Sequence, residues 1–171
     1  LKSRAAAECS SLGGERLILA ADTIVAKGDA IIGQPRDATE AAQIVRTLRT
    51  GRHCVLTGVS LLDLATGAQD LFFDEALVEV GEIDDRTIEQ YVESGDWRGK
   101  AGAYNLTERL AAGWPIRVSG DPATVMGLPI SRLLPRLTRL GVPIRVPAPS
   151  PPDASPEPAE EPQRSEGGER S

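Results

Sequence analysis

The chain has 171 residues, 40% of them apolar, and a formal net charge of −6, which suits one domain with a sizeable core and is short for two. Six carboxylates against two arginines between Val146 and Ser171 carry four of those six charges, so the rest is nearly balanced and lacks the basic field that a nucleic-acid backbone requires. No run approaches a membrane span, no basic-then-apolar segment opens the sequence, and Cys9 and Cys54 are spaced like neither zinc ligands nor a disulfide framework. The expectations are no nucleic-acid partner, no membrane, and a reducing, cytoplasmic setting.

Leu1 to Leu12 is alanine-rich and closes at Gly13-Gly14, which predicts a helix. Leu17 to Val25 is an apolar run with polar flanks and reads as a buried strand, interrupted by Asp22 and Thr23. An ionised carboxylate loses several kcal/mol on leaving water. Asp22 is therefore either delivered by the strand to a cleft or metal, or it begins a turn after Ala21; spacing leaves both open. Lys27-Gly28-Asp29 predicts a tight turn and Ile31-Ile32-Gly33 a returning strand, placing Gln34-Pro35-Arg36 near a cleft.

Asp37 and Thr39 are N-cap candidates for an amphipathic helix that Gly51 ends. β-branched and aromatic residues on both sides of Ala65-Thr66-Gly67 predict a long antiparallel hairpin from Val55 to Val80. Asp84 or Asp85 opens a second helix, closed by Ser94-Gly95. Trp97 to Tyr104 is glycine-rich around Lys100, a composition that lets backbone and a cation approach a ligand. Trp114 to Val118 predicts a strand, and Ser131 to Leu140 a final helix that Pro135 kinks or starts. From Pro147 the chain is proline-rich and acidic, too poor in apolar groups to offset the entropy of ordering, and is expected to be a disordered tail. The expected organisation is one domain over 1–146 and the tail over 147–171.

Five motifs, Ala21-Asp22-Thr23-Ile24-Val25, Gly33-Gln34-Pro35, Gly51-Arg52-His53 with Thr57-Gly58-Val59, Lys100-Ala101-Gly102-Ala103-Tyr104 and Gly127-Leu128-Pro129, closely resemble the Maf family in order and spacing. The resemblance implies an inosine-triphosphatase-like α/β fold, a long mixed or antiparallel sheet flanked by helices around a nucleotide cleft. It implies a nucleoside triphosphate pyrophosphatase that uses a divalent cation, Mg²⁺ or Mn²⁺, with Asp22 as proton acceptor, Lys2 and Lys100 facing the ligand, and a homodimer as the expected assembly.

The chemistry of the residues agrees. Water attacking an α-phosphorus needs a proton acceptor, and three phosphates bring charge to neutralise. Asp22 can serve as base, as metal ligand, or as both. Lys2, Lys100 and Arg36 suit phosphate oxygens, and Thr23, Gln34 and Thr57 are candidate hydrogen-bond donors to sugar or base. Three departures from the family pattern stand out. The family opens with a strand and an S-x-S-P-R-R segment that this sequence lacks, so an N-terminally incomplete copy is expected. The family's G-K-P is Gly33-Gln34-Pro35, an amide for a cation. After Tyr104 the chain reads Asn105-Leu106-Thr107-Glu108, which leaves base preference open between thymidine/uridine-type and modified bases. The competing expectation is a non-catalytic nucleotide-binding regulator linked to cell division. His53 and both cysteines are assigned to structure, Asp121 to a turn, Glu108 to a metal or base contact or a surface ion pair, and Arg132, Arg136 and Arg139 to a solvated helix face.

Overall fold

The computed structural model describes residues 17–144. The expected opening helix, Lys2, Cys9, the boundary at residue 146 and the acidic tail lie outside the described residues. β1 (Leu17–Lys27) runs straight through Asp22 and Thr23, which settles against a turn at Ala21. It returns through Gly28, whose φ of 58° favours glycine, into the short β2 (Ala30–Ile32). Then follow α1 (Ala38–Leu48), the hairpin β3 (Gly51–Asp63) and β4 (Gln69–Val80), and α2 (Asp85–Ser94). The remaining elements are α3 (Leu106–Ala111), β5 (Ile116–Ser119), α4 (Pro122–Val125) and α5 (Ile130–Arg139). Strand order is β2-β1-β3-β4-β5 and every pairing is antiparallel, a mixed α/β fold of the expected kind.

Side-chain caps set the helix starts. Asp37, Asp84, Asn105 and Asp121 each accept a backbone N–H of the first turn, a contribution of about 1 kcal/mol per cap. Asp121 is thus a helix cap, and it also accepts from the Ser131 N–H and hydroxyl, joining α4 to α5. Sequence periodicity did not anticipate α3 and α4, which are six and four residues long and too short to show a helical period. The solvated arginine face on α5 is corrected for two residues: Arg132 Nε lies 2.7 Å from Asp74, and Arg136 reaches Asp70 at 3.3 Å and stacks 4.1 Å from the Phe72 ring. Among the described residues no helix is long and apolar enough to cross a membrane.

The core is divided. One cluster joins Val25, Val55 and Val78 of the sheet to Ala41 and Val45 of α1, Ile88 and Tyr91 of α2, and Trp114. A smaller one holds Val59, Leu61 and Phe72 under Leu133 of α5. Between them, on the same sheet face, the register sets Thr23 beside Thr57 and Thr57 beside Asp74. A polar row therefore crosses the sheet between two apolar blocks.

Candidate nucleotide site at the edge of β1

Successive strand residues point to opposite faces, so Asp22 and Thr23 part company. Thr23 faces the helices. Its hydroxyl lies 2.8 Å from that of Thr57, which donates to the Thr124 carbonyl at 2.7 Å. The Thr124 hydroxyl in turn donates to Asp74 at 2.6 Å, and Arg132 pairs with the other oxygen of that carboxylate. Asp22 stands on the other face, exposed, in the row Asp22-Gly58-Phe73. That face carries Leu71 and Phe73 at 67% and 64% exposure. The carboxylate that the sheet buries is Asp74, 12% exposed and held by an arginine and a hydroxyl.

The Lys100–Tyr104 loop is fixed by its neighbours. Gly102 adopts φ 72°, its N–H donates to the Gly33 carbonyl at 3.1 Å, and a Cβ there would come within 3.1 Å of Val25. Ala103 also sits at positive φ, 63°, with its carbonyl accepting the Tyr91 hydroxyl at 2.7 Å, a strained backbone that its surroundings hold in place. Tyr104 meets His53 at 2.8 Å and edge-to-face. Burial pushes the Tyr104 hydroxyl well above its ordinary value and, with Lys27 nearby, pulls His53 down to about 4. His53 is 2% exposed and neutral, so it serves structure.

The loop and Thr23 wall a cavity of about 170 Å³ with Asn105, Met126 and Gly127. Drug-sized ligands take roughly 300–1,000 Å³, so the cavity has room for a group the size of a base or sugar but not for a whole triphosphate. Gly127 adopts φ 96°, and a Cβ there would lie 3.3 Å from the Thr23 hydroxyl, so glycine lets the chain close this wall. Lys100 lines the cavity and pairs with Glu108 at 2.5 Å. Glu108 therefore forms an ion pair, with Lys100 more closely than with Arg109 at 3.9 Å.

Of the expected site residues, Thr23 and Lys100 meet at the cavity, and Thr57 supports Thr23 from beneath, fully buried. Asp22 is across the sheet from it. Gln34 is exposed, and Arg36 donates to Glu40 at 2.8 Å, which holds the Glu40 carboxyl below its ordinary value. Neither lines the cavity. Thr124, Asn105 and Arg132 were missed, as was Asp74, though a usable signal existed: Phe72, Asp74, Ala76 and Val78 share one strand register, and three are apolar.

Among the described residues no group of three or more His, Cys, Asp or Glu comes together. Mg²⁺ needs no such cage, since it keeps several waters and takes one or two carboxylates plus substrate phosphates. Asp22 is an exposed carboxylate of that kind, so the donor chemistry fits a cation brought with the substrate.

A family model described as Maf-like protein matches residues 1–140. The chain belongs to the Maf family. Among Maf relatives, proteins named dTTP/UTP pyrophosphatase from Pelotomaculum thermopropionicum and Syntrophotalea carbinolica are each 34% identical over 141 residues, 82% of this chain and 73% and 63% of their own lengths. One of the same name from a Geobacillus species is 38% identical over 124 residues, 72% of this chain and 65% of its own length. The chain thus spans about two thirds of the Maf proteins it matches. Their shared name favours the enzymatic expectation over the non-catalytic one.

Proposed function

We propose that the chain is a nucleoside triphosphate pyrophosphatase acting on thymine- or uracil-type nucleotides. The observation that carries the reading is the Maf match over residues 1–140 together with relatives named dTTP/UTP pyrophosphatase. The meeting of the Asp22-Thr23 strand with the Lys100 loop supports it: among the described residues β2 pairs with Val25–Lys27 of β1, beside Asp22 and Thr23. A nucleotide passing around β1 there meets Thr23 with its base end and Asp22 with its phosphates.

A water oxygen bonds to the α-phosphorus while the bond from that phosphorus to the bridging oxygen breaks. Diphosphate leaves with the electron pair, and the water proton goes to the Asp22 carboxylate. Lys100 exchanges Glu108 for a phosphate oxygen and holds the triphosphate charge. Lys2 and Arg36 are further phosphate contacts and Gln34 a polar one. When bound by Asp22 and the phosphates, a divalent cation, Mg²⁺ or Mn²⁺, neutralises charge and lowers the pKa of its water. The reading includes a cytoplasmic homodimer, with Cys54 a free thiol.

The test is a diphosphate-release screen of the full chain over canonical and modified triphosphates with Mg²⁺ or Mn²⁺. Release from dTTP and UTP is expected, and no release from any triphosphate overturns the function.

A further inference from the structure

The Lys100–Tyr104 loop meets the cavity at its ends and is pinned at its middle. Lys100, Ala101 and Tyr104 line the cavity, whereas Gly102 and Ala103 between them are buried. To turn from one role to the other the chain takes two left-handed residues in succession, Gly102 at φ 72° and Ala103 at φ 63°. Glycine adopts that conformation freely, but alanine does not, since its Cβ crowds the following carbonyl oxygen. Such a residue persists only where its surroundings over-determine it. Three hydrogen bonds do so here: the Gly102 N–H donates to the Gly33 carbonyl, Tyr104 meets His53, and the Tyr91 hydroxyl donates to the Ala103 carbonyl at 2.7 Å.

The last of these bonds acts on the strained residue itself. Tyr91 belongs to α2, is 4% exposed and does not line the cavity. Its ring stands edge-to-face to Trp114, with centroids 5.1 Å apart, and the Arg109 guanidinium lies 4.3 Å from it on another side. A phenylalanine would make those contacts as well. The hydroxyl, costly to bury without a partner, is the part that ring packing does not explain. Burial pushes the phenol up to about 12, so it keeps its proton and stays a donor through the neutral range. We infer that Tyr91 is a positioning residue whose hydroxyl holds Ala103 in the left-handed conformation and so keeps Lys100 in place at the cavity. The inference rests on the contact between Lys100 and the triphosphate in the function proposed above. The link between the two residues is short, since the Ala103 N–H donates to the Lys100 carbonyl at 3.0 Å. Without the hydroxyl the buried Ala103 carbonyl loses its donor, the strained turn relaxes, and Lys100 shifts with it.

The test is equilibrium binding of the α,β-methylene analogue of dTTP to the full chain with Mg²⁺, because the carbon bridge cannot be cleaved and no turnover is needed. Tyr91→Phe keeps the ring and is expected to bind the analogue about tenfold more weakly than wild type. Two further readings separate positioning from a general loss of stability. Ala103→Gly added to Tyr91→Phe takes the left-handed conformation without a pin and is expected to restore binding to within about threefold of wild type. A merely structural Tyr91 would leave that pair binding no better than Tyr91→Phe alone. In a Lys100→Gln background, Tyr91→Phe is expected to change binding by less than about twofold, because the group it positions is gone. Thermal melting verifies that each variant folds. If Tyr91→Phe does not fold, the pair with Ala103→Gly takes its place, with binding within about threefold of wild type expected and a loss of about tenfold overturning the inference. Unchanged binding by folded Tyr91→Phe, no recovery in the pair, or an equal loss in the Lys100→Gln background overturns it too, as does a wild type that does not bind the analogue. Binding by a wild type that releases no diphosphate from dTTP, with the variants as expected, keeps the inference and overturns the catalysis.

Discussion

Asp22 and Thr23 are consecutive residues in opposite surroundings. Thr23 faces a packed, hydrogen-bonded side of the sheet whose polar atoms have fixed partners. Asp22 faces an exposed side beside a glycine and two exposed apolar residues. The difference separates two requirements of one reaction. Recognition needs a group held rigidly in one protonation pattern, which burial supplies. In the proposed reaction, taking a proton from water needs a carboxylate that water can reach, which exposure supplies. A strand places the two within one residue of each other because its side chains alternate.

The largest effect is expected on the exposed side. Asp22→Asn should lower diphosphate release about 10²–10⁴-fold and leave dTMP binding within twofold; retained turnover removes Asp22 as the base. Next comes acid sensitivity on the packed side. His53 titrates near 4 in the fold against an ordinary 6.5, so the neutral form belongs to the folded state. Stability is full above pH 6.5 and falls by up to about 3 kcal/mol as the pH drops from 6.5 to 4. Denaturant melts of wild type should trace that slope and those of His53→Gln should flatten it; equal slopes would assign the effect elsewhere. Gly127→Ala places a methyl against Thr23 at positive φ. It should cost about 1–2 kcal/mol in thermal melts and weaken dTMP binding; wild-type binding would remove Gly127 from the cavity wall. The smallest effect belongs to the rim. Glu108→Gln releases Lys100 from an exposed pair, with stability expected to change by less than about 0.5 kcal/mol while the KM for dTTP falls; a higher KM would mean that Glu108 itself assists binding.

Much of this was legible in the sequence where the signal is local. Asp37 and Asp84 cap their helices as expected, Gly95 closes α2 in the left-handed region, and the turn at Ala65-Thr66-Gly67 joins the long hairpin. Lys100 reaches a cavity with Thr23, as the glycines around it suggest. What escaped depends on register between distant strands. Asp74 alternates with Phe72, Ala76 and Val78 onto one face, but that it sits opposite Thr57 follows only from the strand pairing. Arg132 and Arg136 look like a polar helix stripe until α5 lies over β4 and gives each a carboxylate. Asp22 interrupts an apolar run and stands exposed, whereas the carboxylate this sheet buries is Asp74.

The polar row that divides the core also marks a line of weakness. Apolar packing is continuous within each block and gives way to hydrogen bonds between them, so the smaller block under α5 is a natural unit of local opening. Amide exchange should run faster there than around Ile88 in the larger block. The cavity beside Thr23 and Gly127 is lined on its apolar side by Tyr104, Leu106 and Val125 of the larger block. A ligand at a hundred times its dissociation constant adds about 2.7 kcal/mol to the bound form, and exchange should slow most around Tyr104 and Leu106, which line the cavity.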